Sequence, residues 1–124
     1  MNRYLLDTHI ILWWLYDDPK LSKVQRNIIQ DSQNEIFVSS ASVWEIEIKR
    51  NLGKLIVDDA YFKAIEDDGF IFLKIEPYHS LGLRELPDIH NDPFDRMLIA
   101  QAISEKMVLI SRDAQIKRYD LKVI

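Results

Sequence analysis

Five carboxylates stand where the chain passes from one predicted element to the next. Asp7 follows the apolar run Arg3-Tyr4-Leu5-Leu6, Asp113 follows Met107-Val108-Leu109-Ile110-Ser111, Glu45 lies near the start of a helix, and Asp92 and Asp95 flank Pro93-Phe94. Asp92 before a proline fits a helix N-cap with proline at the first helical position, and the apolar residues that follow fall at helical spacing. Asp95 then lies in the first turn, beside unpaired backbone N–H groups and the positive end of the helix dipole. Alone, each such acid is an ordinary cap. Carboxylates that converge, however, repel one another, and without a cation at least one is pushed toward protonation. The chain has no cysteine and no His-x-x-x-His pair, so the available ligands are hard oxygens, which suit Mg²⁺ or Mn²⁺ better than Zn²⁺. A centre of that kind activates water and holds phosphate oxygens for in-line attack, the chemistry of phosphodiester hydrolysis.

The elements that must bring these acids together alternate in type. Arg3–Leu6 reads as a buried strand that runs straight into a helix, His9–Tyr16, apolar on every face and therefore expected to pack against both a sheet and a partner element. Leu21–Ser32 is an amphipathic helix with Ser22 as its cap. Glu35–Ser40 is a second strand, and the helix after it starts at Ala41 or Ser42, puts Glu45 in its first turn or so, and stops at Gly53. A weaker helix over 58–68, a strand over 70–75, a short helix over 77–83 and a loop to Asn91 precede the Pro93 helix. A fourth strand over 107–111, a helical turn over 114–119 and an edge strand over 121–124 complete the chain. Strands alternating with helices predict an α/β three-layer sandwich with a mainly parallel central sheet. In such sheets the site lies beyond the carboxyl ends of the strands, where connections diverge to opposite faces. Residues ending strands and residues beginning helices meet on that edge.

Composition restricts the classes of function. The 124 residues fit one domain, 1–124, and 48% hydrophobic with 29% charged residues is an ordinary globular balance. The longest apolar run, Ile10–Leu15, is too short to span a bilayer and has no basic segment before it, so neither a membrane span nor a signal peptide is expected. Absence of cysteine agrees with the reducing cytoplasm. A net charge of −4 argues against wrapping nucleic acid by bulk positive charge, but allows a local basic rim beside an acidic centre. Lys49, Arg50, Lys54, Lys117 and Arg118 read as solvated charges, and Trp13, Trp14 and Trp44 as packing residues.

Leu5-Leu6-Asp7-Thr8-His9 with Trp13-Trp14, Ser39 to Glu45, His90 to Ala102 and Ile110-Ser111-Arg112-Asp113 occur in the order of the motifs of PIN-domain ribonucleases, and the chain resembles the VapC-type toxins of toxin–antitoxin pairs nearly end to end. The resemblance implies a divalent-metal-dependent endoribonuclease in which Asp7, Glu45, Asp95 and Asp113 hold Mg²⁺ or Mn²⁺, Asp113 belonging to the least uniform position of the family's site. By the same resemblance Asp92 is a further acid in the pocket, and Thr8 and Ser111 orient water at the metal. Arg96 and Arg112, beside these acids, either neutralise a neighbour or contact RNA phosphates at the rim. A homodimer and a VapB-type antitoxin partner are implied as well. Two other classes fit the pattern less well. A phosphoacceptor signalling domain needs an acceptor aspartate at the end of a middle strand, and the third strand ends Lys74-Ile75-Glu76. A catalytically silent module of the same fold has no need of all four acids.

Overall fold

The computed structural model of the chain describes residues 2–124. In chain order the elements are β1 (Arg3–Leu6), α1 (Thr8–Leu15), α2 (Lys23–Gln30), β2 (Glu35–Ser39), α3 (Ser40–Asn51), α4 (Tyr61–Asp67), β3 (Ile71–Leu73), α5 (Pro77–Leu81), α6 (Pro93–Glu105) and β4 (Val108–Ile110). Short 3₁₀ turns occupy Gly82–Glu85 and Ile116–Arg118. The four strands form one sheet in the order β3-β2-β1-β4, and every pairing is parallel.

Alternation along each strand divides the core into two layers. Tyr4, Leu6, Ile36, Val38 and Ile110 face a cluster with Ile10, Ile11, Ile29, Ile46 and Ile65 from α1 to α4. Leu5, Phe37 and Leu109 face Leu98, Ile99 and Ala102 of α6 together with Ile116 and Tyr119. Helices thus cover both faces, as the three-layer reading expects. The first connection leaves β1 toward β2, whereas β4 returns on the other side of β1, so β1 is the point of divergence. Its carboxyl end is where Asp7 begins α1.

Local chemistry explains most boundaries. Ser22 Oγ accepts from Gln25 N–H at 3.1 Å while Gln25 Oε1 accepts from Ser22 N–H at 3.2 Å, a reciprocal box that starts α2. At the end of α3, Lys54 N–H donates to Lys49 O at 2.8 Å and Gly53 N–H to Arg50 O at 3.0 Å, with Gly53 at φ +71°, a turn that closes the last carbonyls at a residue without a Cβ.

Three expectations need correction. α3 starts at Ser40, because Ser39 Oγ accepts from Ala41 N–H at 3.0 Å, and so Glu45 lies in the second turn rather than the first. The strand over 70–75 shrinks to Ile71–Leu73. The edge strand over 121–124 is a single parallel bridge between Leu109 and Val123, backed by Ser111 N–H donating to Ile124 O at 3.0 Å. α1 buries Ile10 and Ile11 fully, and its other face is half-covered, Trp14 Nε1 donating to Asp68 Oδ2 at 2.9 Å beside Phe70.

Gln101 of α6, fully buried, ties the layers together. Its Oε1 accepts from Ser39 Oγ at 2.6 Å and its Nε2 donates to Lys74 O at 3.3 Å, joining the ends of β2 and β3. Gln101→Ala removes both partners at once. The expected loss is about 2–4 kcal/mol, seen in a circular-dichroism melt as a Tm lower by roughly 10 °C.

Candidate active site

Asp7 occupies an N-cap position but does not cap. Its backbone N–H donates to Ile110 O at 3.0 Å, which locks the end of β1 to β4, and its carboxylate makes no bond to the first turn of α1. Instead Oδ2 accepts from Ser111 Oγ at 2.8 Å, and Oδ1, fully buried, has no partner. A buried carboxylate with an unpaired oxygen is costly, since nothing replaces the water it has lost. Burial raises the Asp7 pKa above the usual aspartate range; the Ser111 bond, the nearby His9 and the Thr8 backbone oppose this, and Glu45 adds to it.

Glu45, 3% exposed, resembles Asp7 in this respect. Its Oε2 accepts from Lys49 Nζ at 2.5 Å, and Oε1 is buried without a partner. Burial acts to lower the Lys49 pKa, but the bond to Glu45 and the charges of Glu45, Asp92 and Asp95 prevail and raise it.

α6 delivers the next two acids with distinct tasks. Asp92 Oδ1 accepts from Phe94 N–H at 2.9 Å and from Asp95 N–H at 3.0 Å, and so caps the helix as expected. Asp95 is left free of backbone bonds, and its Oδ2 meets His90 Nε2 at 3.1 Å. Burial, then the charges of Asp7, Asp92 and Asp113, push its pKa from 3.8 up to about 7 against the opposing bond from His90. Asp7, Asp92 and Asp113 thus act on Asp95 by charge, and Glu45 on Asp7. Asp113 is in part committed elsewhere. Its N–H donates to Ser111 Oγ at 3.0 Å and its Oδ1 accepts from Gln115 N–H at 2.7 Å, so one carboxylate oxygen shapes the turn after β4.

The supporting hydroxyls are bonded within the protein. Thr8 Oγ1 donates to Ser42 Oγ at 2.9 Å, joining the start of α1 to α3, and Ser111 Oγ both holds Asp7 and accepts from Asp113. Arg96 donates to Pro87 O at 2.9 Å, to His90 O at 3.4 Å and to the Tyr119 hydroxyl at 3.0 Å, which turns its guanidinium onto the loop before α6. Arg112, exposed, spends one N–H on Lys20 O and keeps the others for solvent.

Two residues contribute more than their local sequence indicates. His90 Nδ1 lies 2.7 Å from the Tyr119 hydroxyl. With Arg96 donating to that hydroxyl, and the hydroxyl donating to Nδ1, the neutral ring carries its proton on Nε2 and presents it to Asp95. No local signal marks His90, because Tyr119 is 29 residues away. Lys49 read as one of a solvated basic group, yet its four-residue spacing from Glu45 is the signal that pairs them. His9 is exposed and stacks near Trp13 at 6.0 Å, and Trp44, 60% exposed, meets Phe94 edge-on at 5.3 Å beside the acids instead of packing in the core.

Among the described residues no three His, Asp or Glu side chains are grouped as a metal ion would need. Two donors nevertheless have the chemistry that suits a hard cation: Asp7 Oδ1 and Glu45 Oε1 are buried oxygens with unmet bonding capacity. A groove of about 740 Å³ lies elsewhere, at the far end of α3 along Glu47, Arg50 and Ile56.

A parallel α/β sandwich with acids gathered at the point of divergence defines a class of phosphoryl-handling folds only broadly. The family model of the PIN domain matches residues 4–122, and the chain belongs to that family. A chain in the crystal structure of VapBC2 from Rickettsia felis bound to a DNA fragment from its promoter is similar in fold, with a TM-score of 0.73 and 16% identity over 98% of this chain and 97% of that one. DNA-bound VapBC from Salmonella typhimurium gives 0.72 and 14% over 100% and 98%, and VapBC-1 from nontypeable Haemophilus influenzae 0.66 and 21% over 98% and 96%. A search among curated proteins gives no significant match. No helix among the described residues is long and apolar enough to cross a membrane.

The raised Asp95 pKa has a definite consequence for stability. Between the ordinary value of 3.8 and about 7 the folded protein keeps a proton that the unfolded chain has lost, so this group's contribution is greatest at low pH and is lost as pH rises through 7. In metal-free buffer the melting temperature is expected to fall across that window. Asp95→Asn should flatten the profile and melt several degrees above the parent protein at about pH 8, measured by scanning calorimetry.

Proposed function

We propose that this protein is a divalent-metal-dependent endoribonuclease, the toxin component of a toxin–antitoxin pair whose cognate partner is a VapB-type antitoxin, and that it acts as a homodimer in the cytoplasm. The observation that carries the reading is the pair of buried carboxylates, Asp7 and Glu45, each with an unpartnered oxygen, together with Asp95, whose charge is suppressed by burial and by its acidic neighbours. A cluster of this kind burdens the fold unless a cation uses it. Membership of the PIN-domain family and the VapBC likeness support the choice of reaction and of partner.

Asp7, Glu45 and Asp95 would hold Mg²⁺ or Mn²⁺, with Asp113 at the edge of the set. When bound, such an ion supplies Lewis acidity toward water and phosphate oxygens. The chain's own contribution is placement. Ser111 keeps Asp7 Oδ2 occupied so that Oδ1 stays available, His90 orients Asp95, and Asp92 relieves Asp95 of capping. Thr8 steadies the junction of α1 with α3. In the hydrolysis the water oxygen bonds to phosphorus, one ester P–O bond breaks, and the leaving oxygen gains a proton. Trp44 offers an exposed ring on which an unpaired base can stack, which favours single-stranded or looped RNA.

The test is cleavage of a mixed pool of structured and single-stranded RNA by purified protein with Mg²⁺ or Mn²⁺ and with EDTA. Cuts at defined sites are expected with metal only, and Asp7→Asn and Asp95→Asn should each lose at least about 100-fold in rate while staying folded. A well-folded protein that neither cuts RNA nor binds metal by calorimetry would instead be a catalytically silent module. The two arginines should separate in the same assay. Arg112→Ala is expected to reduce the salt slope of RNA binding by about 0.7. Arg96→Ala should leave that slope unchanged and lower the melting temperature.

A further inference from the structure

The Asp95 carboxylate takes no backbone bond, and among the described residues its partner is His90 Nε2, at 3.1 Å. Whether that contact holds the carboxylate depends on where the ring carries its proton. Nε2 with a proton is a donor and fixes Oδ2; Nε2 without one turns a lone pair toward an ionised carboxylate, and the two repel. The heavy-atom geometry is the same in both cases, so the partner of Nδ1 decides.

That partner is the Tyr119 hydroxyl, 2.7 Å away. A hydroxyl has one proton to give and two lone pairs to fill. Arg96 Nη1 donates to it at 3.0 Å, and the backbone N–H of His90 donates to it at 3.4 Å. Neither donor can accept in return, since a backbone N–H has no lone pair to offer and a guanidinium keeps all its protons. Both lone pairs are thus taken, the hydroxyl proton goes to Nδ1, and the ring's own proton lies on Nε2, toward Asp95. Direction along the relay is set at its far end, by Arg96.

Both distant members are themselves anchored. Arg96 also donates to the carbonyls of Pro87 at 2.9 Å and His90 at 3.4 Å, and the Tyr119 ring, 4% exposed, packs in the layer of Leu5 and Leu98. His79 shows the contrast. Its Nδ1 accepts from Glu76 N–H at 2.9 Å, so a backbone donor three residues away sets its tautomer, whereas that of His90 is set by a hydroxyl 29 residues along the chain.

We propose that Arg96 and Tyr119, neither of whose side chains bonds an acid of the site, are positioning residues for it: they fix the direction of the relay from Arg96 through Tyr119 to His90, so that His90 meets Asp95 as a donor and holds its carboxylate in one orientation. The inference rests on the nuclease reading above. It gives Arg96 a task other than contact with RNA.

The test joins nitrogen-15 NMR of the histidine rings to single-turnover RNA cleavage with Mn²⁺. Tyr119→Phe keeps the packed ring and removes only the hydroxyl; Arg96→Met removes the obligate donor and Arg96→Lys restores one. The rings are observed in metal-free protein at about pH 8, where an unperturbed histidine is neutral, with His90→Gln to assign the signal. In the wild type His90 is expected to carry its proton on Nε2. In Tyr119→Phe and Arg96→Met the form protonated on Nδ1 should appear, while the His79 signals stay in place and report an intact fold. Cleavage by the same two variants should slow about 10- to 100-fold with KM within about twofold, and Arg96→Lys should regain most of both the tautomer and the rate. A proton on His90 Nδ1 in the wild type would overturn the proposal, as would any of these variants in which only the tautomer or only the rate moves. A wild type with the expected tautomer that cuts no RNA would instead remove the nuclease reading, and the two failures stay distinct because the ring signals need no activity.

Discussion

Repulsion among carboxylates that the fold forces into one notch is the constraint on which the rest of the structure depends. The parallel order β3-β2-β1-β4 sends the carboxyl ends of all four strands to one edge, and β1, in the middle, puts Asp7 where the connections part. α6 runs back toward the amino edge before β4, so its own N-terminus, with Asp92 and Asp95, opens on the same notch. Nothing local prefers this. A buried carboxylate gives up its hydration, and neighbours of the same sign raise the cost further. The two apolar layers around Leu5, Leu6, Leu98 and Ile110 supply the stability against which that cost is tolerated.

The acids are held by bonds reaching across the chain. Asp7 is fixed by Ser111 from the end of β4, and Asp95 by His90, whose ring is set by the Tyr119 hydroxyl and, through it, by Arg96. The 3₁₀ turn that precedes Tyr119 therefore orients a carboxylate on a different element, although Tyr119 itself is a core residue. On the opposite flank of α6 a comparable set is purely structural. His79 Nδ1 accepts from Glu76 N–H at 2.9 Å and Nε2 donates to Glu105 Oε2 at 2.8 Å, and Glu105 has its pKa lowered, chiefly by that bond. The same residue type serves as an anchor at one end of the helix and as an aligner of an acid at the other.

Features encoded within a few residues were legible in the sequence. The strand at Arg3–Leu6, the Ser22 cap, the Asp92-Pro93 helix start and the Gly53 stop depend on neighbours in the chain, and each lies where its pattern places it. So was the placement of Asp7 at the end of a strand and of Asp92 and Asp95 at the start of a helix, because each follows from adjacent residues. Less legible was whatever depends on distant partners. The turn of α3 on which Glu45 lies was missed because Ser39 caps the helix one residue early. Arg96 reads from sequence as equally suited to phosphate or protein, whereas its three acceptors lie in the loop before α6 and on Tyr119. Trp44 looked like core because its helix is apolar, whereas its own position faces outward against Phe94.

A carboxylate already satisfied by the backbone has little left to offer a ligand, and this divides the acids of the notch into two kinds. Asp92 takes both N–H groups at the start of α6, and Asp113 takes the N–H of Gln115, so each spends a lone pair on its own turn. Asp7 stands at a helix start and declines that bond, leaving an oxygen unpaired in the interior. Glu45 is beyond reach of the free N–H groups of α3 because it lies in the second turn, and Asp95 is spared because Asp92 has taken its place. Its place in the second turn leaves the Glu45 carboxylate no helix N–H to cap. Chemistry and capping compete for the same lone pairs, and the sequence spacing of Asp92 to Asp95 lets one residue release the other.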